Sequence, residues 1–161
     1  MSFVVDHPSG MLYFATATGG ASVTNLSSGE RRFLHVSDAA RLTPELRVKA
    51  DLAWQRTRDF LSDKFPDLVV HDPKCSAESY TELVSGGIDA VVECTRKRNL
   101  ELAVAYLLVT RAGGVMLTES GQDLGQQRYQ TFGQDKNDHQ IVISAASLPL
   151  AGTLAERINN E

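Results

Sequence analysis

The 161-residue sequence predicts an α/β fold, in which an N-terminal antiparallel hairpin region precedes a mixed sheet with helices on both faces. Three observations carry this. The first forty residues hold short apolar runs separated by turn residues. The stretch from Gly86 to Leu117 reads as strand, polar loop, helix, Gly-Gly stop and strand. An apolar strand at 140–146 then runs into a last helix from Leu148 to Ile158. These divide the chain into a β-hairpin region at 1–40 and an α/β domain at 41–161.

In chain order, Phe3-Val4-Val5 and Met11 to Ala15 flank the turn Asp6-His7-Pro8-Ser9-Gly10, which is a hairpin signal. Gly19-Gly20 and Asn25 to Gly29 mark further turns, and Phe33 to Ser37 is expected to be a strand. Thr43-Pro44-Glu45 resembles a helix start, with Thr43 as N-cap and Pro44 at the first helical position. Leu46, Ala50, Ala53, Trp54, Phe60 and Leu61 would form the apolar face of a helix reaching about Lys64, with Trp54 in the core. Leu68-Val69-Val70 is a short buried strand on this reading, and His71 to Lys74 the turn after it. Cys75-Ser76-Ala77 opens a helix through Val84, stopped by Gly86-Gly87. Ile88 and Ala90 to Val92 suit a buried strand. Asn99 is placed as an N-cap with Glu101 in the first turn, where the helix dipole favours an anion. Leu100, Ala103, Val104, Leu107 and Leu108 repeat at helical spacing, and Gly113 supplies a left-handed C-cap. The polar segment 118–138 is a connection with about one irregular turn.

Composition narrows the function. Hydrophobic residues at 42% with 22% charged are ordinary for a packed domain, and the length suits one domain. A net charge of −4 gives no bulk attraction for nucleic acid. No apolar run is long enough to cross a bilayer, and Met1 to Asp6 lacks the basic and apolar regions of a secretory signal. The two cysteines, Cys75 and Cys94, make neither a disulfide framework nor a zinc spacing. A cytoplasmic protein is expected. Glu93 and Glu101 fall at a strand end and a helix start, the edge where ligands gather in open α/β sheets.

Several motifs together resemble the C-terminal half of the inositol monophosphatase family, which comprises Mg²⁺-dependent, lithium-sensitive phosphomonoesterases. Gly86-Gly87-Ile88-Asp89-Ala90-Val91-Val92-Glu93 is similar to the family's Gly-x-Asp-Ala-x-x-Glu strand. Where the family has Trp-Asp-x-Ala-Ala-Gly closing in Glu-Ala-Gly-Gly, this chain has Leu100-Glu101-Leu102-Ala103-Val104-Ala105 closing in Arg111-Ala112-Gly113-Gly114. Gly10-Met11-Leu12-Tyr13-Phe14-Ala15, the step at Gly20-Ala21, Val36-Ser37 and Leu154 to Ile158 extend the resemblance over nearly the whole chain.

The resemblance implies that Cys75, Ser76 and Glu93 contact the substrate and that Glu101, in place of the family's Asp, is a metal ligand. It assigns no catalytic residue to this chain, because the Asp-Pro-x-Asp-Gly-Thr motif that supplies the main metal ligands is absent; Asp72-Pro73-Lys74-Cys75 does not replace it. Plainer roles stay open. Ser76 could cap its helix with Cys75 buried, Glu93 could be a solvated strand end, and Glu101 could serve only the helix dipole. Arg96-Lys97-Arg98 is either a solvated loop or an attractant for a phosphorylated ligand. A Cys75 nucleophile would lack a supporting His and acid.

The implied function is the substrate-side half of a Mg-dependent phosphatase acting on a sugar or inositol phosphate, inactive as this chain alone. Magnesium would enter only with the missing half supplied. The alternatives are a non-catalytic pseudo-phosphatase that binds a phosphorylated small molecule or a protein, and an unrelated α/β interaction domain. The first hairpin, part of a larger sheet in the family, would be left with an unpaired edge and a bare face. Self-association or an N-terminal partner chain is therefore expected, with neither nucleic acid nor membrane as partner.

Overall fold

The structure is a computed structural model that describes residues 1–73, 75–96, 99–127 and 139–160, with Arg96 described by its backbone. Lys74, Lys97, Arg98 and most of the 118–138 connection lie outside the described residues. The order of elements is β1 (Ser2–Asp6), β2 (Met11–Ala15), β3 (Ala21–Asn25), β4 (Arg31–Phe33), β5 (Val48–Lys49), α1 (Gln55–Lys64), β6 (Val70–His71), α2 (Ser76–Val84), β7 (Ala90–Arg96), α3 (Leu100–Arg111), β8 (Val115–Thr118), β9 (His139–Ala145) and α4 (Leu148–Asn159). A 3-10 turn occupies Leu124–Gln126 in the connection.

The two sheets confirm the predicted class. The first is an antiparallel meander in the order β1-β2-β3-β4, and the second is mixed, in the order β6-β5-β7-β9-β8. Strands β5, β6 and β7 run parallel, while β9 lies antiparallel between β7 and β8. Helices α2 and α3 fill the space between the sheets, where Ala15, Ala21 and Val23 of the first meet Leu83, Leu102, Leu108 and Val142 in one buried cluster. On the other face of the second sheet, Val92, Ile143 and Ala145 pack against Leu61 of α1 and Leu150 and Leu154 of α4. The layers are thus sheet, helices, sheet, helices.

The outer face of the first sheet carries no helix among the described residues. Register places Phe3 opposite Phe14, Phe14 opposite Ser22 and Ser22 opposite Phe33, so the three phenylalanines share one row and one face. Phe3 is 61% and Phe33 68% exposed. No described helix is long and apolar enough to cross a membrane.

Four sequence expectations fail. The helix expected from Thr43 begins only at Gln55. Leu46, Val48 and Ala50 are buried while the alternating Arg47, Lys49 and Asp51 are not, a period of two that belongs to a strand. This segment inserts β5 between β6 and β7. Trp54, assigned to the core of that helix, is 65% exposed. The strand expected at Phe33 to Ser37 ends at Phe33, because the chain then leaves the first sheet: the Leu34 N–H still reaches Ala21 O, but the Val36 N–H bonds Ala112 O after α3. The strand at 68–70 is shifted to Val70–His71, on the edge of its sheet, with Val69 exposed.

Candidate functional site

One cleft, of about 450 Å³, is lined by Asp51, Trp54, Arg56, Ser76, Glu93 and Glu101, with Cys94, Thr95, Asn99 and His139 completing its wall. Its position follows from the parallel strands. Asp51 follows β5 and Glu93 lies midway along β7, while Arg56, Ser76 and Glu101 stand in the first turns of α1, α2 and α3. Three helix N-termini therefore face a cleft beside the carboxyl ends of parallel strands, where backbone N–H groups and helix dipoles favour an anion.

The cleft brings together Ser76, Glu93 and Glu101, three of the four residues singled out from the sequence. Glu93 is buried at 9% exposure, and its carboxylate accepts from the Tyr80 hydroxyl at 2.6 Å and, at a longer 3.4 Å, from Asn99 Nδ2. Burial raises its pKa above the ordinary glutamate value; the Tyr80 hydrogen bond opposes that rise and the nearby Glu101 charge adds to it. Tyr80, itself buried, is held well above the ordinary phenol value, first by burial and then by the Glu93 charge. Glu93 is thus not a solvated strand end.

Asn99 ties the site together. Its Oδ1 accepts from the Glu101 N–H at 3.0 Å, the predicted N-cap, while its Nδ2 donates to Thr95 Oγ1 at 3.0 Å and to Glu93. Glu101 is exposed at the mouth of the cleft. Ser76 is the first residue of α2, and the N-cap position belongs to Cys75, which makes no side-chain cap bond. The capping role left open for Ser76 is therefore not the one it has. Cys75 is exposed rather than buried, and lines a different cleft, of about 600 Å³, between α2 and the β1–β2 turn.

Asp51, Trp54, Arg56 and His139 were missed as site residues. Once 43–54 is read as a helix, Asp51 and Trp54 fall on helical faces; only the alternation at Leu46, Val48 and Ala50 could have placed them at a strand end. Cys94 also lines the cleft, but burial pushes its thiol pKa up, so it is held protonated.

The fit to magnesium can be read from the donors. Among the described residues no group of three His, Cys, Asp or Glu side chains is placed to hold a metal ion. Of the cleft carboxylates, Glu93 is already engaged by Tyr80. The described residues thus fall short of the near-octahedral oxygen set that Mg²⁺ requires.

Comparison with known proteins bears on the fold. No protein-family model matches the chain, and no curated protein matches it. Solved structures do. The inositol monophosphatase from Anabaena (Nostoc) sp. PCC 7120 superposes with a TM-score of 0.71 at 16% identity, over 97% of this chain and 59% of that one. SuhB of Mycobacterium tuberculosis gives 0.70 at 18% identity, over 98% and 58%. An IMPase/NADP phosphatase solved with Mg²⁺ and phosphate gives 0.69 at 16% identity, over 99% and 54%. The chain spans somewhat more than half the length of these neighbours, and over that span it has the inositol monophosphatase fold.

Proposed function

We propose that this chain is the ligand-binding half of an inositol-monophosphatase-like site, taking a sugar or inositol phosphate and turning none of it over by itself. The convergence of Ser76, Arg56, Glu93 and Glu101 in one cleft supports this reading. Arg56 has no ion-pair partner among the described residues, so its guanidinium is available to a phosphate. The carboxylates of Glu93 and Glu101 accept hydrogen bonds and suit the hydroxyls of a polyol. Glu101 would contribute one oxygen to Mg²⁺, and further carboxylates would have to come from a second polypeptide segment.

The same shortage of metal ligands among the described residues favours a second reading, a pseudo-phosphatase that binds without hydrolysis. A phosphatase assay in Mg²⁺ separates them. The first reading expects no turnover by residues 1–161 alone and activity on adding a polypeptide equivalent to the family's N-terminal half. The second expects no activity in either case. Turnover by the chain alone contradicts both. Glu101→Ala abolishes restored activity if Glu101 is a ligand. The bare outer face of the first sheet supports self-association or such a partner chain.

A further inference from the structure

The loop entering α1 places an indole in water at a position that breaks two local rules at once. Trp54 is 65% exposed, although burying a large apolar side chain stabilises a fold. It is also the N-cap of α1, with extended backbone and no side-chain cap bond, at a position where Ser, Thr, Asp or Asn would stabilise the helix start. A site that forgoes both terms is where function is expected to be found.

The loop is nevertheless held firmly. The Leu52 N–H donates to Asp72 Oδ1 at 2.7 Å and the Ala53 N–H to Asp51 Oδ1 at 3.0 Å. The Arg58 guanidinium donates to the Leu52 carbonyl and, at 2.6 Å, to Gln55 Oε1; the Arg58 N–H donates to Trp54 O at 3.2 Å. The indole is therefore presented on fixed backbone, and it lines the same cleft as Arg56, Glu93 and Glu101. Preorganisation of this kind lowers the ordering cost of binding.

We propose that Trp54 determines specificity by stacking its indole on the ring of a sugar or cyclitol phosphate. The negative π face meets the ring's C–H groups, while Arg56 meets the phosphate and the carboxylates accept from the hydroxyls. This inference rests on the binding function above and adds a requirement for a ring. An ester of an open-chain polyol would use the polar groups and leave the indole idle.

Trp54 is the chain's single tryptophan, so intrinsic fluorescence reports on it alone. The 161-residue chain is titrated with myo-inositol 1-phosphate and with glycerol 2-phosphate, by emission and by calorimetry in parallel. The cyclitol ester should shift or quench the emission. By calorimetry, Trp54→Ala should weaken binding of the cyclitol ester by about three- to tenfold, the equivalent of an aromatic contact, and leave binding of glycerol 2-phosphate unaffected. Trp54→Phe should recover most of the loss. Calorimetric binding of the cyclitol ester with unchanged emission and unchanged Trp54→Ala affinity overturns the stacking role and leaves the binding function standing. Equal weakening of both esters also overturns it, because a merely structural residue would act that way. Absence of calorimetric binding by either ester removes the binding function and the inference together.

Discussion

Replacing Asp89 with alanine removes the acceptor that joins the start of β7 to the segment leading to the cleft. Its carboxylate, 5% exposed, accepts from the Ser37 hydroxyl at 2.6 Å, from the Arg47 backbone N–H at 2.9 Å, and from Arg47 Nε and Nη2 at 3.0 and 2.7 Å. Arg47 Nη1 also donates to Gly87 O at 2.8 Å. Breaking a buried ion pair costs about 3–5 kcal/mol because the surviving charge is stranded. Arg47 has a half-exposed side chain, so its guanidinium regains water, and the loss is reduced to about 2–4 kcal/mol.

The pH dependence has a fixed sign. Burial alone would raise the Asp89 pKa, but the hydrogen bonds from Arg47 and Ser37 outweigh it and hold the carboxyl below its ordinary value of 3.8. The folded form thus binds the proton less readily than the unfolded form. The contribution is fully present above the ordinary value and lost as pH falls through the depressed one. Urea unfolding of wild type and Asp89→Ala, followed by circular dichroism at about pH 7 and again near pH 3, measures both effects. The gap should be wide at neutral pH and narrow in acid. A gap under about 1 kcal/mol at neutral pH, or one unchanged in acid, refutes the clamp.

Glu93→Gln should act with the opposite sign. Burial raises the folded pKa of Glu93, so wild type loses stability as pH rises above the ordinary glutamate value, and the variant should show a higher urea midpoint at neutral pH, with the difference vanishing in acid. Gly114→Ala would put a methyl 2.9 Å from Ala145 O and from Val109 Cγ1, and 3.1 Å from Val36 Cγ1. A backbone carbonyl cannot yield as a side-chain end can, so a loss of about 1–3 kcal/mol is expected in thermal unfolding. Phe3→Lys charges the bare face and open edge at β1. Sedimentation velocity should show concentration-dependent association of wild type, and less of it in the variant.

How far the sequence could be read depended on whether the signals were local. Asn99 was legible as a cap because capping is a contact over two residues, and its Oδ1 does receive the Glu101 N–H. Gly113 was legible because its φ of +94° is costly for any side chain. The segment 43–54 misled for the same reason. Thr43-Pro44 is a good local helix start, yet the vacancy between β6 and β7 is filled by Val48, whose partners Val70 and Ala90 lie far along the chain. Asp89 was visible as a motif residue, but its bond to Arg47 spans 42 positions. Glu93 and Glu101 could be joined in advance because they lie close together in the sequence. Arg56 and Trp54 could not, since their place in the cleft depends on where β5 stops.

The two buried carboxylates of this strand region separate scaffold from site. Asp89 is met by four donors, its pKa is lowered, and its charge stabilises the fold. Glu93 has a short bond from Tyr80 and a long one from Asn99, its pKa is raised, and its charge opposes the fold. A glutamine would relieve that cost while keeping an acceptor for the Tyr80 hydroxyl. What glutamine lacks is a second acceptor oxygen and the negative charge, which are what a ligand hydroxyl arriving from the cleft would engage. Glu93→Gln should therefore gain stability and lose affinity for a cyclitol phosphate in one substitution. A variant that gains stability and binds as wild type does would place the ligand elsewhere, and Glu93 would then be a buried charge without a use.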